Sequence, residues 1–298
     1  MNLAFRSSRA PAGRIAYVDG RYLPHGAAAV HIEDRGLQFA DSVYEVYAVS
    51  SGRLMDEAKH LDRLERSLAA IDMPLPLARK ALQTILREVV RRNRLRGGLI
   101  YLQITRGAWP RDHAVPAGAR PSVIVTARRV DAVAAEKRRA TGVAVITAPD
   151  IRWGRCDIKS TALLPNVLAK TQARRAGAYE AWFCDRAGLI TEGSSTNAWI
   201  VDASGVVITR SLSESILPGV TRAAVLEAAS DAGMSIRERA FSVKEAYAAR
   251  EAFLSSAGGG IVPVTSIDGR KIGDGKPGST TARLAALYHE LSQREAGL

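Results

Sequence analysis

The order of the predicted strands and helices constrains the fold of this chain more than any other feature of its sequence. Alternating apolar residues predict strands at residues 15–23, where a hairpin turns at Asp19-Gly20, and at 42–50, 99–105, 121–127, 143–147, 179–184, 197–201, 206–209, 251–256 and 261–267. Helices are predicted at residues 57–71, 77–95, 166–177, 219–232 and from about 280 onward. Because strands and helices mix without a strict strand–helix–strand alternation, the predicted class is α+β rather than a doubly wound sheet.

The length of 298 residues suits one large or two medium domains with an ample core. Residues 128–142 are charged and alanine-rich without a strong period, which favours a linker. We therefore predict an N-terminal domain over residues 1–130, a linker over 131–141 and a C-terminal domain over 142–298. Residues 106–120 are rich in glycine, proline and charge, and so long a loop indicates function.

The composition favours a protein of the cytoplasm. No apolar run approaches the ~18 residues of a membrane span, and residues 1–9 lack the long apolar core of a signal peptide. Cys156 and Cys184 are too few for a disulfide framework, so reduced thiols are the simpler interpretation. We therefore predict a cytoplasmic protein without a membrane partner.

The net charge of +12 raises nucleic-acid binding as a rival hypothesis. The arginines, however, are scattered, with short basic clusters only at residues 91–92, 128–129, 137–139 and 174–175. No aromatic residues interleave with these clusters, as a platform for stacking bases would need. A solvated basic surface is therefore favoured, and the predicted partners are small molecules rather than nucleic acid.

Lys159 is the first candidate for chemistry. Of 42 basic residues only eight are lysines, so surface charge is given to arginine almost everywhere. Arginine keeps its proton and does no amine chemistry, whereas a lysine desolvated between Ile158 and Ser160 can condense with a carbonyl. A strand-end lysine that extends to water is the alternative from this segment alone.

A second candidate segment follows some thirty residues later. The acid Glu192 stands before a glycine, three hydroxyls and an amide, the last four being Ser194, Ser195, Thr196 and Asn197. A pyridine-type cofactor with a phosphate would use both parts, the acid at the ring nitrogen and the hydroxyls at the ring oxygen and phosphate. A polar turn is the alternative, although six such residues together favour a site.

These segments, with four others, resemble the class IV aminotransferases, pyridoxal phosphate enzymes of fold type IV, and within them the D-amino-acid transaminases. The matching segments are residues 33–46, 60–64, 105–107, 150–160, 191–197 and 218–222. The resemblance extends from Tyr17 to Arg283 and implies a smaller N-terminal antiparallel sheet with helices and a larger β-barrel-like C-terminal domain with helices. It also implies pyridoxal 5′-phosphate (PLP) as cofactor and amino transfer from D-amino acids such as D-alanine or D-glutamate to 2-oxo acids such as 2-oxoglutarate or pyruvate.

The same resemblance implies which residues hold the cofactor. Lys159 forms a Schiff base and afterwards carries the proton, and Glu192 pairs with the pyridinium nitrogen, which makes the ring an electron sink. Arg63 matches the phosphate-binding arginine, although its helical spacing alone fits a surface position. The other cofactor-binding residues are expected to be Ser194, Ser195, Thr196, Asn197, Leu217, Val220, Thr221, Ser256 and Ala257. Since the family pattern has a threonine where Ala257 stands, we expect a weaker hold on the phosphate.

Substrate-binding residues follow from the resemblance as well. Tyr44 is expected over the cofactor near the substrate carboxylate, whereas by itself it fits a half-buried core position. Arg111 and His113 match an Arg-x-His pair that binds the α-carboxylate from the neighbouring subunit, so a homodimer is expected. Alternation along an extended loop puts both on the same side. A solvent loop that happens to contain them is the alternative.

Three relatives of this group would share Lys159 and Glu192: branched-chain L-amino-acid transaminases, R-selective amine transaminases and aminodeoxychorismate lyases. The Arg-x-His loop favours the D-amino-acid enzyme over each of them. The remaining histidines have no spacing typical of metal ligands, so no metal is predicted; they are His25, His31, His60 and His289.

Overall fold

A computed structural model describes residues 13–295 and 297 of the chain. The chain divides into two compact units. Unit 1 contains the chain up to Val130 together with Lys159–Ala162, and unit 2 contains Asp131–Ile158 and Leu163–Leu298. Residues 1–9, on which the expectation of no export rests, lie outside the described residues. None of the helices in the described part has both the length and the apolar character needed to cross a membrane.

Unit 1 is an antiparallel sheet with helices. Its strands are β1 (Ile15–Val18), β2 (Arg21–Pro24), β3 (Ser42–Ser50), β4 (Arg53–Leu54), β5 (Gly98–Thr105) and β6 (Ser122–Arg128). Its helices are α1 (Arg35–Phe39), α2 (Glu57–Ala69) and α3 (Arg79–Arg92). The strands lie in the order β2-β1-β6-β5-β3-β4, and every neighbouring pair is antiparallel.

The hairpin and the helix faces predicted for unit 1 are confirmed. Asp19 and Gly20 between β1 and β2 have positive φ angles of 43° and 87°. A two-residue turn between twisted strands requires this conformation at both positions, which the sequence Asp-Gly adopts readily. Helix α2 buries Leu61, Leu64 and Leu68 on one face, as the period of its apolar residues predicts.

Unit 2 is a larger mixed sheet with helices. Its strands are β7 (Val143–Pro149), β8 (Glu180–Cys184), β9 (Leu189–Gly193), β10 (Asn197–Val201), β11 (Val207–Thr209), β12 (Ile236–Glu238), β13 (Phe241–Ser242), β14 (Glu251–Ser256), β15 (Gly260–Ile267) and β16 (Arg270–Lys271). Its helices are α4 (Ala132–Thr141), α5 (Leu164–Arg175), α6 (Val220–Asp231), α7 (Val243–Ala248) and α8 (Ser279–Glu295). The strand order is β12-β11-β10-β14-β15-β7-β8-β9-β13, with β16 paired to β15. The pairs β11–β12, β15–β7 and β7–β8 are parallel.

Aromatic side chains fill the core of unit 2. Trp182 packs edge-on against Phe241 with the ring centroids 6.4 Å apart, and Trp199 stacks on Phe253 at 5.2 Å. All four side chains are fully buried. Such pairs contribute about 0.5–1.5 kcal/mol each beyond the area that they bury. The first pair joins β8 to β13, and the second joins β10 to β14.

The predicted α+β class is confirmed, but the segment predicted as a linker contains the helix α4. None of the α4 residues is buried, so this helix lacks the apolar stripe that reveals most helices in a sequence. Asp131 caps it by accepting a hydrogen bond from the Ala134 amide at 3.0 Å. The observed units also differ from the predicted boundaries at Lys159–Ala162, which belong to unit 1.

Candidate active site

Lys159 is fixed in unit 1 by the first residues of β3 and by α2. The Tyr44 amide donates to the Lys159 carbonyl at 2.9 Å, and the Lys159 amide donates to Ser67 Oγ at 3.3 Å. Val43 and Ser160 form an isolated β-bridge beside them. The backbone of Lys159 therefore has partners on two elements, although Lys159 itself lies in neither a helix nor a strand.

The Lys159 side chain is half-buried and lies against aromatic rings. Its Nζ is 4.2 Å from the centroid of the Tyr44 ring, and Tyr44 stacks on Tyr101 with the centroids 5.5 Å apart. Within the described residues, the Lys159 ammonium forms no ion pair. An amine that packs against a ring, without a carboxylate partner, fits a reactive lysine better than a lysine extended into water.

Arg63 lies in a buried cluster with Glu45 and His60. Its Nε donates to Glu45 Oε1 at 2.8 Å and its Nη2 donates to Glu45 Oε2 at 2.7 Å. His60 Nδ1 is 2.7 Å from the same Oε2. The exposed fraction of the Arg63 side chain is 6%, and that of Glu45 is 0%. The alternative of a surface arginine on this helix is therefore wrong.

The charges of this cluster depend on one another. Burial by itself raises the pKa of Glu45, but the Arg63 guanidinium and the hydrogen bonds from Arg63 and His60 lower that pKa to about 2. Burial lowers the pKa of His60, against the opposing effect of Glu45. At neutral pH Glu45 is therefore ionised and His60 neutral, so the cluster contains one compensated pair, Glu45 and Arg63.

The sequence alone does not identify Glu45 or His60 as part of a site. A signal for Glu45 is nevertheless present, because the alternation of β3 buries it on the same face as Val43 and Tyr47. An acid on a buried apolar face requires a partner. His60 and Arg63, one helical turn apart on α2, supply that partner, which only the packing of α2 on β3 reveals.

Arg111 and His113 meet on the ring of Phe39. The Arg111 guanidinium is 4.9 Å from the Phe39 centroid, and the His113 ring is 5.3 Å from it. Both side chains are exposed and share one surface of the loop, as alternation predicts. Among residues 13–295 and 297, neither forms a hydrogen bond, ion pair or ring contact with Lys159 or Tyr44.

Glu192 lies on β9 of unit 2 and is held by three other segments. Asn197 Nδ2 donates to its Oε2 at 3.1 Å, and the Leu217 amide donates to both carboxylate oxygens at 3.1 Å. Arg152 Nη1 donates to its Oε1. The Glu192 side chain is 7% exposed. A cation and amide donors therefore compensate for the desolvation of this carboxylate.

Arg152 connects Glu192 with Asp150, and neither Arg152 nor Asp150 is among the predicted site residues. Arg152 Nε and Nη2 donate to the two Asp150 oxygens at 2.9 and 2.7 Å. Burial by itself lowers the pKa of Arg152, but Asp150 and Glu192 raise it overall. Arg152 is thus a permanent positive charge between two carboxylates. The sequence does contain a signal for Arg152, namely the spacing Asp-x-Arg within the matched segment 150–160.

The predicted hydroxyl cluster is divided between different partners. Ser195 Oγ donates to Glu180 Oε2 at 2.7 Å, and Ser194 Oγ donates to Glu180 Oε1. Glu180 is fully buried, and Lys170 Nζ lies 3.1 Å from its Oε2. The hydroxyl protons of Ser194 and Ser195 are thereby used within the protein. Thr196 Oγ1 differs, because it is buried and has no hydrogen-bond partner in the described part of the chain.

The N-terminus of α6 offers donors for an anion. Helix α6 begins at Val220, and its N-cap Gly219 supplies no side-chain cap to the first amides. Thr221 Oγ1 is buried and has no partner within the described residues. A Cβ at position 219 would lie 2.0 Å from Asn197 Oδ1, so only glycine allows this approach. An orphaned hydroxyl beside uncapped amides fits the phosphate end of the predicted cofactor.

Ser256 is the last residue of β14 and Ala257 follows it directly, at the place where the sequence predicts a second donor loop. Ser256 Oγ accepts a hydrogen bond from the Gly259 amide at 3.2 Å. Both residues are partly exposed, so neither is closed off by the core. Ala257 has no side-chain donor, and its backbone amide is the group that it can offer to a phosphate.

Comparisons with known proteins show which family the chain resembles. The family model described as "Amino-transferase class IV" matches residues 42–267. The chain is similar to the D-alanine aminotransferase of Bacillus licheniformis, with 42% identity over 279 residues that cover 93% of this chain and 97% of that relative. It is 37% identical over 281 residues to the D-alanine aminotransferase of Listeria innocua, covering 94% and 96% of the two chains. Among solved structures, the T.th. branched-chain amino acid aminotransferase with pyridoxamine 5′-phosphate is similar, with a TM-score of 0.88 and 28% identity over 96% of each chain.

Proposed function

This chain belongs to the class IV aminotransferases and uses pyridoxal 5′-phosphate, and we propose that it transfers the amino group of D-amino acids to 2-oxo acids. The proposed donors are D-alanine and D-glutamate, and the proposed acceptors are pyruvate and 2-oxoglutarate. The observation that carries this specificity is the pair Arg111 and His113 on the Phe39 ring. Two adjacent side-chain donors on an exposed loop match the two oxygens of a substrate carboxylate.

Glu192 is proposed as the partner of the cofactor ring. When bound, PLP supplies a carbonyl that takes up the amino group and a ring that draws electrons from the substrate α-carbon. The Glu192 carboxylate, paired with Arg152 and with the Leu217 amide, would accept a hydrogen bond from the protonated ring nitrogen. Its fixed position supports this role, because the stabilising charge does not have to reorganise during the reaction.

The phosphate is proposed to bind at the N-terminus of α6. Support comes from the buried hydroxyl of Thr221, which has no partner among the described residues, and from the uncapped amides that begin at Val220. We assign Arg63 to the phosphate as its positive charge, with its guanidinium plane fixed by the two bonds to Glu45. Ser256, at the end of β14, and the amide of Ala257, directly after it, would add further donors.

Lys159 is proposed to hold the cofactor through its amine and, once released, to move the proton at the substrate α-carbon. Its backbone is fixed by Tyr44 and Ser67, so the amine starts from a defined point. The Tyr44 ring, 4.2 Å from Nζ, restricts the directions in which the side chain can extend. One amine therefore serves both steps without a second base.

We propose that the enzyme acts as a homodimer in the cytoplasm, with Arg111 and His113 reaching the partner's centre. Apolar side chains near this loop support the dimer, because Ile32, Leu37 and Val115 are 78%, 68% and 59% exposed. Large apolar side chains grouped on a surface favour an interface. The cytoplasmic location rests on the sequence alone.

A screen of amino donors tests the proposed function. The purified holoenzyme is offered D-alanine, L-leucine, R-phenylethylamine and aminodeoxychorismate, with 2-oxoglutarate as acceptor where one is needed, and product formation is measured. D-alanine should be the fastest donor. The runner-up is a branched-chain L-transaminase, which the likeness to the T.th. enzyme favours at 28% identity. Full activity with L-leucine and none with D-alanine would replace the proposal by that alternative.

A further inference from the structure

We propose that Arg35 is the positioning residue for the loop that carries Arg111 and His113, an inference that rests on the proposed function. Arg35 lies on α1 and is 3% exposed. Its guanidinium donates to the carbonyls of Asp112 at 2.6 Å, His113 at 3.2 Å and Ala114 at 3.3 Å. Three successive carbonyls of an exposed loop thus converge on one buried cation.

Other contacts of this loop are sparse. Residues 106–121 lie between β5 and β6 without a helix or strand, apart from an isolated bridge between Ala108 and Asp34. Within the described chain, residues 110–120 make no backbone–backbone hydrogen bond. The buried Arg35 side chain therefore supplies the connection between the tip of the loop and helix α1.

Helix α1 also supplies the surface on which the two side chains rest. Phe39 lies one turn after Arg35 on this helix. The Arg35 guanidinium is 4.8 Å from the centroid of the Phe39 ring, and the Arg111 guanidinium is 4.9 Å from it. The His113 ring is 5.3 Å from the same centroid. Arg35 fixes the backbone of the loop while Phe39 orients its side chains. The carboxylate-binding groups are thereby arranged before the substrate arrives, which lowers the cost of ordering them on binding.

Arg106 provides a matched control for Arg35. Each of the two arginines donates its Nε to the Asp41 carboxylate at 2.8 Å, and they are 3% and 5% exposed. Arg106 donates its terminal nitrogens to the carbonyls of Ile71 and Asp72 rather than to the loop. Lysine at either position keeps a positive charge near Asp41 but cannot span several carbonyls as a guanidinium does.

Steady-state kinetics of the two holoenzyme variants test the inference. Arg35→Lys should raise the KM for D-alanine about 10- to 100-fold with little change in kcat, because a misplaced binding group has effects of this size. Its rate with R-phenylethylamine, which has no carboxylate, should stay near that of the wild type. Arg106→Lys should leave the KM for D-alanine unchanged. An equal rise of this KM in both variants, or an equal loss with the amine, would overturn the inference.

Limited digestion with trypsin reports the order of the loop without a substrate. The bond after Arg111 is exposed, whereas the bond between Arg120 and Pro121 resists trypsin because proline follows. Arg35→Lys should be cut after Arg111 about 10-fold faster than Arg106→Lys, since local opening governs such cleavage. Unchanged digestion contradicts the inference even in an enzyme that is active on D-alanine. Faster digestion in a protein inactive on D-alanine supports the anchoring by Arg35 and rejects the proposed function.

Phe39→Leu keeps the inference testable if Arg35→Lys does not fold. This variant removes the ring but leaves Arg35 bound to its three carbonyls. The cut after Arg111 should therefore stay as slow as in the wild type, while the KM for D-alanine rises. Rapid cutting of Phe39→Leu would show that the ring holds the loop, and the role of Arg35 would be refuted.

Discussion

The carboxylate of Glu192 and the loop of Arg111 differ in how many parts of the protein hold them. Glu192 is 7% exposed and accepts hydrogen bonds from Arg152, Asn197 and the Leu217 amide, which come from three separate segments. Arg111 is exposed, and its loop is joined to the buried part of unit 1 mainly through Arg35. The group proposed for cofactor chemistry is fixed redundantly, and the group proposed for substrate recognition depends on one anchor.

The two regions are proposed to serve different tasks of one enzyme, namely cofactor chemistry and substrate recognition. A buried ion cluster tolerates little change, because removing one partner leaves a charge without compensation. An exposed loop with one anchor can change its side chains without loss of the fold. Relatives with other substrates are therefore expected to differ from this chain in the loop of residues 106–120, while keeping the equivalents of Lys159 and Glu192.

The largest expected effect comes from Lys159, the residue proposed to hold the cofactor. Lys159→Ala should slow turnover about 10²–10⁴-fold or more with amino acids and amines alike, because both need the same amine. In the wild type, borohydride should fix the cofactor to Lys159, which mass spectrometry of the peptide that contains Lys159 can show. In Lys159→Ala, dialysis should remove the cofactor. Lys137→Ala, at an exposed site on α4, is the control and should behave as the wild type. A normal rate for Lys159→Ala would refute the assignment.

A smaller effect tests the buried cluster through stability. Glu45→Gln removes the charge that compensates Arg63, and both side chains are buried. The expected loss is about 3–5 kcal/mol of unfolding free energy at neutral pH, measured by urea denaturation. The control is Glu88→Gln, whose carboxylate pairs with Arg91 and Arg92 on α3 at a partly exposed site. Its urea midpoint should hardly change. If Glu45→Gln lost as little unfolding free energy as the control, the burial of this ion pair would not increase its contribution to stability.

The Glu45→Gln variant also tests how acid changes the stability of the protein. The pKa of Glu45 is about 2 in the folded protein, below its ordinary value of 4.5, so the unfolded chain takes up the proton first as the pH falls. The stability from Glu45 is therefore complete above pH 4.5 and is lost between pH 4.5 and about 2. His60, whose pKa is lowered from 6.5, adds a loss that begins as the pH falls below that value. The urea midpoint of the wild type should fall over this range, and that of Glu45→Gln should fall less.

The sequence predicts those parts of the fold that local pattern determines. The Asp19-Gly20 turn and the apolar face of α2 follow from turn chemistry and helical period, and both are confirmed. The candidates Lys159 and Glu192 come from residue type together with the resemblance, since neither the lysine nor the acid is specific alone.

Long-range packing sets the remaining features, and no local pattern contains it. Glu45 and Arg63 are distant in sequence and meet only because α2 packs on β3. The buried Glu180 binds Ser194 and Ser195, although the sequence suggests these hydroxyls for a cofactor. Helix α4 is missed for another reason, because it buries no residue and so shows no apolar period.

The proposed division between residues that hold the cofactor and a loop that binds the substrate carboxylate is tested most directly by Arg111→Ala. The two half-reactions with D-alanine and with R-phenylethylamine are measured for this variant and for Arg120→Ala, an exposed control in the same loop. Loss of a charge-assisted bond worth roughly 1.5–3 kcal/mol should reduce kcat/KM for D-alanine about 10- to 150-fold. The amine has no carboxylate, so its half-reaction should be spared or improved, and Arg120→Ala should affect neither. Equal losses with D-alanine and the amine would contradict the account, because Arg111 would then support the fold rather than recognise the substrate.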